Sequence, residues 1–117
     1  MQFDHERRVV YMAAVDFVAV AHRILSTLPP GHGDLADQLR RAATSIVLNI
    51  AEGAGEYSKA EKARFYRIAR RSGTECAAIL DVAARLELAT RAHCEPAREL
   101  LLRVVSMLTN MVRALHS

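Results

Sequence analysis

Residues 38–75 form the segment that most constrains the fold of this 117-residue chain. Apolar residues recur there at three-and-four spacing before and after a break at Gly53 and Gly55, and arginines occur on both sides of that break. The spacing predicts two long helices, and the two glycines predict a tight turn between them. The segment therefore indicates a helical hairpin, one part of which is rich in arginine.

The two helices of this hairpin have recognisable starts. Asp34 is predicted to be the N-cap of the earlier helix, whose apolar stripe is Leu35, Leu39, Ala42, Ala43, Ile46 and Ile50. Ser58 and Glu61 are spaced as a capping box for the later helix, in which each side chain satisfies an amide of the first turn. That helix is predicted to run to about Leu88, with an inner face of Phe65, Ile68, Ala69, Ser72, Cys76, Ile79, Ala83 and Leu86.

Two further helices flank the hairpin. A stripe from Glu6 to about Thr27 ends at the Pro-Pro-Gly run 29–31, and its members are Val10, Ala13, Phe17, Val20, Ile24 and Leu28. Pro96 predicts the first turn of the last helix, because proline there forfeits no hydrogen bond. Its stripe is Leu100, Leu101, Val104, Leu108, Met111 and Leu115. Without any strand pattern, the prediction is one all-α domain over residues 1–117, an antiparallel up-down-up-down four-helix bundle.

The first helix carries more apolar residues than one stripe requires. Val9, Met12, Val15 and Val18 lie away from its main stripe. A helix that is apolar on more than one side needs more than one neighbour. We therefore expect this helix to be either central in the bundle or shared with another subunit.

Composition limits the possible compartments and functions. The formal net charge of +3 suits an anionic partner but does not require one. Cys76 and Cys94 are too few for a disulfide framework, and the helix model separates them by roughly 20 Å. Arg7 and Arg8 precede an apolar run, as in a signal peptide, but Asp16 interrupts it and it is too short to span a bilayer. These features favour a cytoplasmic protein without a membrane segment.

The charge of the chain is concentrated after the glycine turn. Residues 59–71 contain six cations and one acid, Glu61, a local net charge of +5. If the hairpin pairs residues whose numbers add up to about 113, Arg71 lies level with Ala42 and beside the Arg40-Arg41 pair. Guanidinium groups match phosphate oxygens, so the predicted nucleic-acid-binding residues are Arg40, Arg41, Arg64, Arg67, Arg70 and Arg71. An ordinary solvated helix face, with Glu75 neutralising Arg71, remains the competing interpretation.

Other polar residues give weaker indications. Beside the apolar stripes lie the polar residues Ser45, Asn49, Glu52, Ser72 and Glu75. Their expected roles are hydrogen bonds between helices, capping of the Gly53 turn or contacts between subunits, because Glu52 and Glu75 are too far apart along the hairpin to act as a carboxylate pair. The five histidines show no paired spacing, so neither a metal site nor a cofactor is predicted. No nucleophile and base occur at a credible spacing, and no enzymatic activity is predicted.

The sequence resembles the bacterial four-helix bundle family of 23S rRNA intervening sequence proteins. The matching features are Gln38 to Ala43, the Ser-Ile-x-x-Asn-Ile-Ala-Glu-Gly run at 45–53, Phe65, Ile68, Ala69, Ser72 and Glu75. The resemblance implies a bundle that assembles as a homopentamer. It also connects the chain to the accessory protein of diversity-generating retroelements, a basic pentamer that binds a reverse transcriptase and nucleic acid. The chain departs from the family pattern at Glu56, where a basic residue is common, and at Arg71, where glycine is common.

Two functional hypotheses follow from these residues. In the first, a non-enzymatic oligomeric bundle binds RNA or DNA through the phosphate backbone as an accessory factor, with a reverse transcriptase or another ribonucleoprotein component among its partners. In the second, the same surface docks an acidic partner protein, and nucleic acid has no role. If the protein does not bind nucleic acid even at low salt, the second hypothesis is favoured.

Overall fold

The computed structural model describes residues 2–116, and the side chains of residues 4–116. It contains four α-helices and, within the described residues, no strand: α1 (Gln2–Leu25), α2 (Gly33–Ala54), α3 (Lys59–Arg85) and α4 (Arg91–Leu115). The all-α class predicted from the sequence is therefore confirmed. The predicted domain, residues 1–117, extends one residue beyond the described range at each end.

Each helix contacts two others. Helix α1 packs on α2 and α4, and α3 packs on the same two helices, so no helix is enclosed by the other three. The particle measures 45 × 22 × 18 Å. Of the two predictions for α1, the central position is wrong, because α1 keeps a face that no other helix of this chain covers.

Side-chain contacts between helices fix the directions of neighbouring helices. Ser45 meets Ser72 while Gly53 meets Tyr66, so residue numbers rise along α2 as they fall along α3. Arg70 meets Thr109 while Asp81 meets Arg98, which gives α3 and α4 opposite directions as well. Residues from the start of α1 and the end of α2 line one cleft. The start of α1, the α2–α3 connection and the end of α4 thus lie together, and we call this region the turn end.

The core is built from one stripe per helix. Its largest fully buried side chains are Tyr66, Phe17, Ile46, Ile50, Leu80, Leu101, Leu108 and Met111. The predicted stripes of α1, α2 and α4 supply most of these residues. On α3 the predicted inner face is partly wrong: Phe65 and Ile68 are half-buried and Leu86 is 59% exposed, whereas Tyr66 is fully buried.

Several helix ends differ from the predicted positions. Helix α1 begins at Gln2 instead of Glu6, and α3 ends at Arg85. Asp34 is not an N-cap, because α2 begins at Gly33 and Asp34 lies in its first turn, where its charge favours the helix dipole. Helix α4 begins at Arg91, since Thr90 caps it by accepting a hydrogen bond from the His93 amide. Pro96 therefore lies inside α4 and not in its first turn.

The start of α3 agrees with the prediction in one half of the capping box. The Ser58 hydroxyl accepts a hydrogen bond from the Glu61 amide at 3.0 Å. The Glu61 carboxylate instead binds Arg64, with Nε of Arg64 3.0 Å from Oε2. An ion pair with the next turn has replaced the reciprocal contact that the sequence spacing suggested.

Candidate nucleic-acid interface

Three of the four exposed arginines of α3 lie in its N-terminal half, and the fourth, Arg85, ends the helix. Arg64 and Arg71 are exposed on the side of α3 that faces away from the core. Arg64 pairs with Glu61, and its guanidinium carbon lies 4.4 Å from the centroid of the Phe65 ring. The hydrogen bond and negative charge of Glu61 raise the pKa of Arg64. Arg64 is thus a cation held in place by an acid on one side and an aromatic ring on the other.

Arg67 and Arg70 are directed toward α4. Nη1 of Arg67 lies 3.4 Å from Nε2 of His116, and Nη1 of Arg70 donates to Oγ1 of Thr109 at 3.4 Å. Arg67 is exposed and Arg70 is half-buried. These two predicted site residues therefore border the groove between α3 and α4, at the turn end.

Arg40 and Arg41 lie further along the molecule than the sequence analysis expected. Nη1 of Arg40 binds Oδ1 of Asp37 at 2.8 Å, and Arg41 lines a shallow cleft of about 450 Å³ on α2. The Ser45–Ser72 contact shows that residue numbers add up to about 117 across the hairpin, where 113 was predicted. The predicted register is wrong by one helical turn, so Arg71 lies level with Ile46. Arg41 is displaced from Arg71 by about five residues, or about 7.5 Å along the axis.

The α2–α3 contact contains a small polar cluster. The hydroxyls of Ser45 and Ser72 are 2.8 Å apart, and Nδ2 of Asn49 donates to the carbonyl and hydroxyl oxygens of Ser45 at 2.8 and 3.0 Å. The Ser45–Ser72 contact confirms hydrogen bonding between helices, one of the three predicted roles, whereas both bonds of Asn49 lie within α2. The cluster satisfies polar groups beside the core and contains no acid, so it stabilises the pairing of α2 with α3.

Lys62 contributes to the local charge but is occupied within the fold. Its Nζ donates to the carbonyl oxygens of Gly53 and Ala54, both at 3.2 Å. These carbonyls belong to the last turn of α2, where carbonyl groups have no hydrogen-bond donor within the helix. Lys62 therefore acts as a C-terminal cap for α2, and the charge available to a ligand is lower than the sequence count suggests.

The turn end contains basic residues that the sequence analysis did not assign to the site. Arg7 and Arg8 line a cleft of about 480 Å³ with Tyr11, Ile50, Ala51, Ala54 and Gly55. The cleft forms because the start of α1 lies beside the end of α2. In the sequence, this arginine pair indicates only the flank of a signal peptide. The predicted antiparallel order of the helices was the signal that could have placed it beside the α2–α3 connection.

Charge is distributed unevenly along the bundle. The turn-end half, residues 2–13, 46–71 and 104–116, contains nine Lys and Arg residues against five Asp and Glu, a net +4. The remainder of the chain contains seven Lys and Arg residues against eight Asp and Glu residues. One half of the molecule is therefore basic, and the other is close to neutral.

Of the buried titratable groups, Cys76 and Cys94 lie outside the turn-end half, whereas Tyr66 is buried within it. Burial raises the pKa of Cys76 to about 12 and also raises that of Cys94, and both thiols are free. Burial raises the pKa of Tyr66 as well. Among residues 2–116, no three His, Cys, Asp or Glu side chains are arranged to hold a metal ion. No helix in that range is long and apolar enough to cross a membrane.

These features define a small all-α protein of four helices with a basic end. Residues 6–110 match the family described as 23S rRNA-intervening sequence protein, and the chain belongs to that family. Among solved structures, it is similar to a protein of unknown function from the S23 ribosomal protein family of Bacteroides thetaiotaomicron VPI-5482, at 22% identity and a TM-score of 0.85. That match covers 92% of this chain and 98% of the other, and it supports the fold. No curated protein matches the chain.

Proposed function

We propose that this protein is a non-enzymatic bundle that binds the phosphate backbone of RNA or DNA through its arginines. The binding residues in this proposal are Arg40, Arg41, Arg64, Arg67, Arg70 and Arg71. The observation that carries it is the basic half of the molecule, net +4, in which Arg64, Arg67 and Arg71 are exposed on α3. Guanidinium groups bind phosphate oxygens irrespective of base sequence, so affinity should depend strongly on salt.

Membership of the family supports RNA over other polyanions, because the family is described by its occurrence with 23S rRNA. In this proposal the protein is a cytoplasmic accessory factor of a larger ribonucleoprotein or retroelement assembly. A reverse transcriptase is one candidate partner, by analogy with the accessory protein of diversity-generating retroelements. Neither a cofactor nor a metal is required, because phosphate binding by arginine involves no bond-making step.

We further propose that the up-down-up-down bundle assembles as a homopentamer through α1. Four apolar side chains of α1 are 36–52% exposed: Val9, Tyr11, Met12 and Val15. The chain exposes 7024 Å², whereas a compact monomer of this mass exposes about 6,300 Å². The excess is close to one partner's share of a standard interface, about 800 Å². Five copies would multiply the basic surface, so that weak contacts act together.

The alternative function is docking of an acidic partner protein. Arg40 and Arg64 each pair with a carboxylate three residues earlier on the same helix, and this pairing with acids supports the alternative. A chain with this function would bind an acidic polypeptide and show no affinity for RNA even at low salt.

The proposal is tested by fluorescence anisotropy of labelled RNA at two salt concentrations. Replacing Arg41, Arg67 and Arg71 together by Ala should weaken binding at low salt by about tenfold or more. It should also reduce the slope of log K against log salt by about 2–3, close to one for each lost phosphate contact.

A second triple variant serves as the control. Arg85, Arg91 and Arg103 are exposed arginines that belong neither to the turn-end half nor to the six proposed binding residues, so replacing them removes the same charge elsewhere. We expect this variant to retain most of the affinity. If both variants lose the same amount of RNA affinity, net charge alone explains the effect. If the parent protein does not bind RNA, the proposal is overturned. Poly-glutamate, titrated in parallel, tests the alternative function.

A further inference from the structure

Tyr57 is a fully exposed aromatic residue at the turn end. Its relative exposure is 101%, so none of the side chains described in residues 4–116 covers its ring. Among the other aromatic rings of residues 4–116, Phe17 and Tyr66 are fully buried, Phe65 is half-buried beneath Arg64, and Tyr11 is 38% exposed. An uncovered tyrosine offers both faces of its ring to a flat apolar partner.

The backbone around Tyr57 is held by hydrogen bonds. The Gly55 amide donates to the carbonyl oxygens of Ala51 and Glu52, and the Glu56 amide donates to that of Gly53. On the other side, Ser58 caps α3. The ring is therefore presented by a short connection between two anchored helix ends, which lowers the entropy lost when a partner stacks on it.

Cations lie close to this ring along the chain, although the residue directly before it, Glu56, is an acid. Lys59 follows two residues later, and Arg64 is exposed in the second turn of α3. The cleft lined by Arg7 and Arg8 extends to Gly55, two residues before the ring. Positive charge that follows a backbone, together with an exposed aromatic ring, is the combination by which proteins bind single strands.

We infer that Tyr57 stacks on an unpaired base and that the nucleic acid bound at the turn end is single-stranded. The inference rests on the proposed function and adds the form of the ligand to it. A duplex keeps its bases stacked on one another, so it offers phosphates to the arginines but no free face to the tyrosine. Because every base has an aromatic face, this contact adds affinity without selecting a sequence.

The first test compares single-stranded and duplex RNA in the full chain. The probes are a labelled oligouridine of about twelve nucleotides, within the range of known single-strand sites, and a labelled duplex of the same length. Tyr57→Ala should weaken binding of the single strand about tenfold and leave duplex binding unchanged. Tyr57→Phe, which keeps the ring, should bind within about twofold of the parent.

Leu86→Ala is the matched control. Leu86 is 59% exposed at the other end of α3, so it removes an exposed apolar side chain away from the proposed site. Unchanged single-strand binding by Tyr57→Ala would overturn the inference, as would an equal loss for single strand and duplex. If the parent protein binds neither probe, the proposed function fails first and the inference falls with it. A change in oligomer size without a change in RNA affinity would assign Tyr57 to self-association instead.

The second test uses the absence of tryptophan from the chain. Tyr57→Trp supplies a single fluorophore at the proposed stacking position, and Leu86→Trp supplies the same fluorophore elsewhere. Adding the unlabelled oligouridine should quench the emission of Tyr57→Trp and leave that of Leu86→Trp nearly constant. Binding seen by anisotropy without quenching at position 57 would contradict stacking while leaving backbone binding intact.

Discussion

Gly53 lies in the last turn of α2, directly against the ring of Tyr66 on α3. A Cβ at this position would lie 2.6 Å from Cε1 and 2.9 Å from Cδ1 of that ring. The backbone at the following Gly55 has a φ of −82°, a value open to any residue. The glycine at 53 is therefore required by the close approach of an aromatic ring and not by an unusual turn conformation.

Replacing Gly53 by Ala should destabilise the fold. The Tyr66 ring is fully buried, so it cannot move aside without disturbing its neighbours. Overpacking costs about 1–3 kcal/mol, and the better helix propensity of Ala returns at most about 1 kcal/mol. We expect a net loss of about 1–2 kcal/mol in the free energy of unfolding, measured by urea denaturation.

Gly33→Ala is the control for this variant. Gly33 begins α2 and has open space around the position of a Cβ, so Ala should be neutral or stabilising by up to about 1 kcal/mol. If both variants unfold at the parent's urea midpoint, the contact between Gly53 and Tyr66 does not constrain this position.

At the scale of elements, the connection between α2 and α3 is stabilised from both sides. Ser58 caps the start of α3, while Lys62 reaches back to the carbonyls that end α2. A cation at this place adds a donor to the two carbonyls, of which that of Gly53 also accepts from the Glu56 amide, and it offsets the negative end of the helix dipole. The two helix ends are thereby joined by side chains of the same turn of α3.

Lys62→Met should therefore destabilise the hairpin. Methionine keeps most of the apolar length of the side chain but donates no hydrogen bond, so two carbonyl contacts are lost. We expect a loss of about 1–2 kcal/mol in the free energy of unfolding. Lys59→Met removes the same charge from an exposed position and should cost less than about 0.5 kcal/mol. Equal effects of the two variants would attribute the change to charge alone.

The four helices were predictable because apolar spacing depends on local sequence, but their ends and packing were less so. Thr90 and Pro96 both suit the start of a helix, and the sequence offered no means of choosing between them. Tyr66 was missed on α3 because its burial depends on the space left by Gly53 on another helix. The predicted register of the hairpin was wrong for the same reason, because the Ser45–Ser72 contact that sets the register joins residues from different helices.

At the scale of the whole molecule, the basic end results from topology. The charge after the glycine turn was predictable from the sequence, as a local excess in residues 59–71. Arg7 and Arg8 join it only because the start of α1 returns to the α2–α3 connection. Conversely, the predicted contribution of Arg40 and Arg41 is displaced toward the neutral half by the shift in register. Which arginines act together thus depends on tertiary packing more than on their proximity in the sequence.

The exposed apolar face of α1 carries the prediction of self-assembly. Met12 is 52% exposed and Val15 is 36% exposed, on a helix that the rest of the chain leaves uncovered on one side. In a ring of five, this face must meet a different surface of the next protomer, because a cyclic interface with more than two members joins unlike faces. The parent protein should then sediment at about 65 kDa, five times the 13.0 kDa of one chain.

Met12→Lys combined with Val15→Lys should dissociate this assembly, because the interface would have to bury two unpaired ammonium groups. The sedimenting mass should fall to that of one chain while the helix content by circular dichroism stays unchanged. Ala78→Lys with Ala92→Lys adds the same charge at exposed positions of α3 and α4 and should leave the mass at the parent's value. A parent protein that sediments as a monomer, or a double variant that keeps its oligomeric mass, would separate the apolar face of α1 from assembly. If RNA binding also weakens in the dissociated variant, the difference in affinity measures what the repeated basic surface adds beyond a single copy.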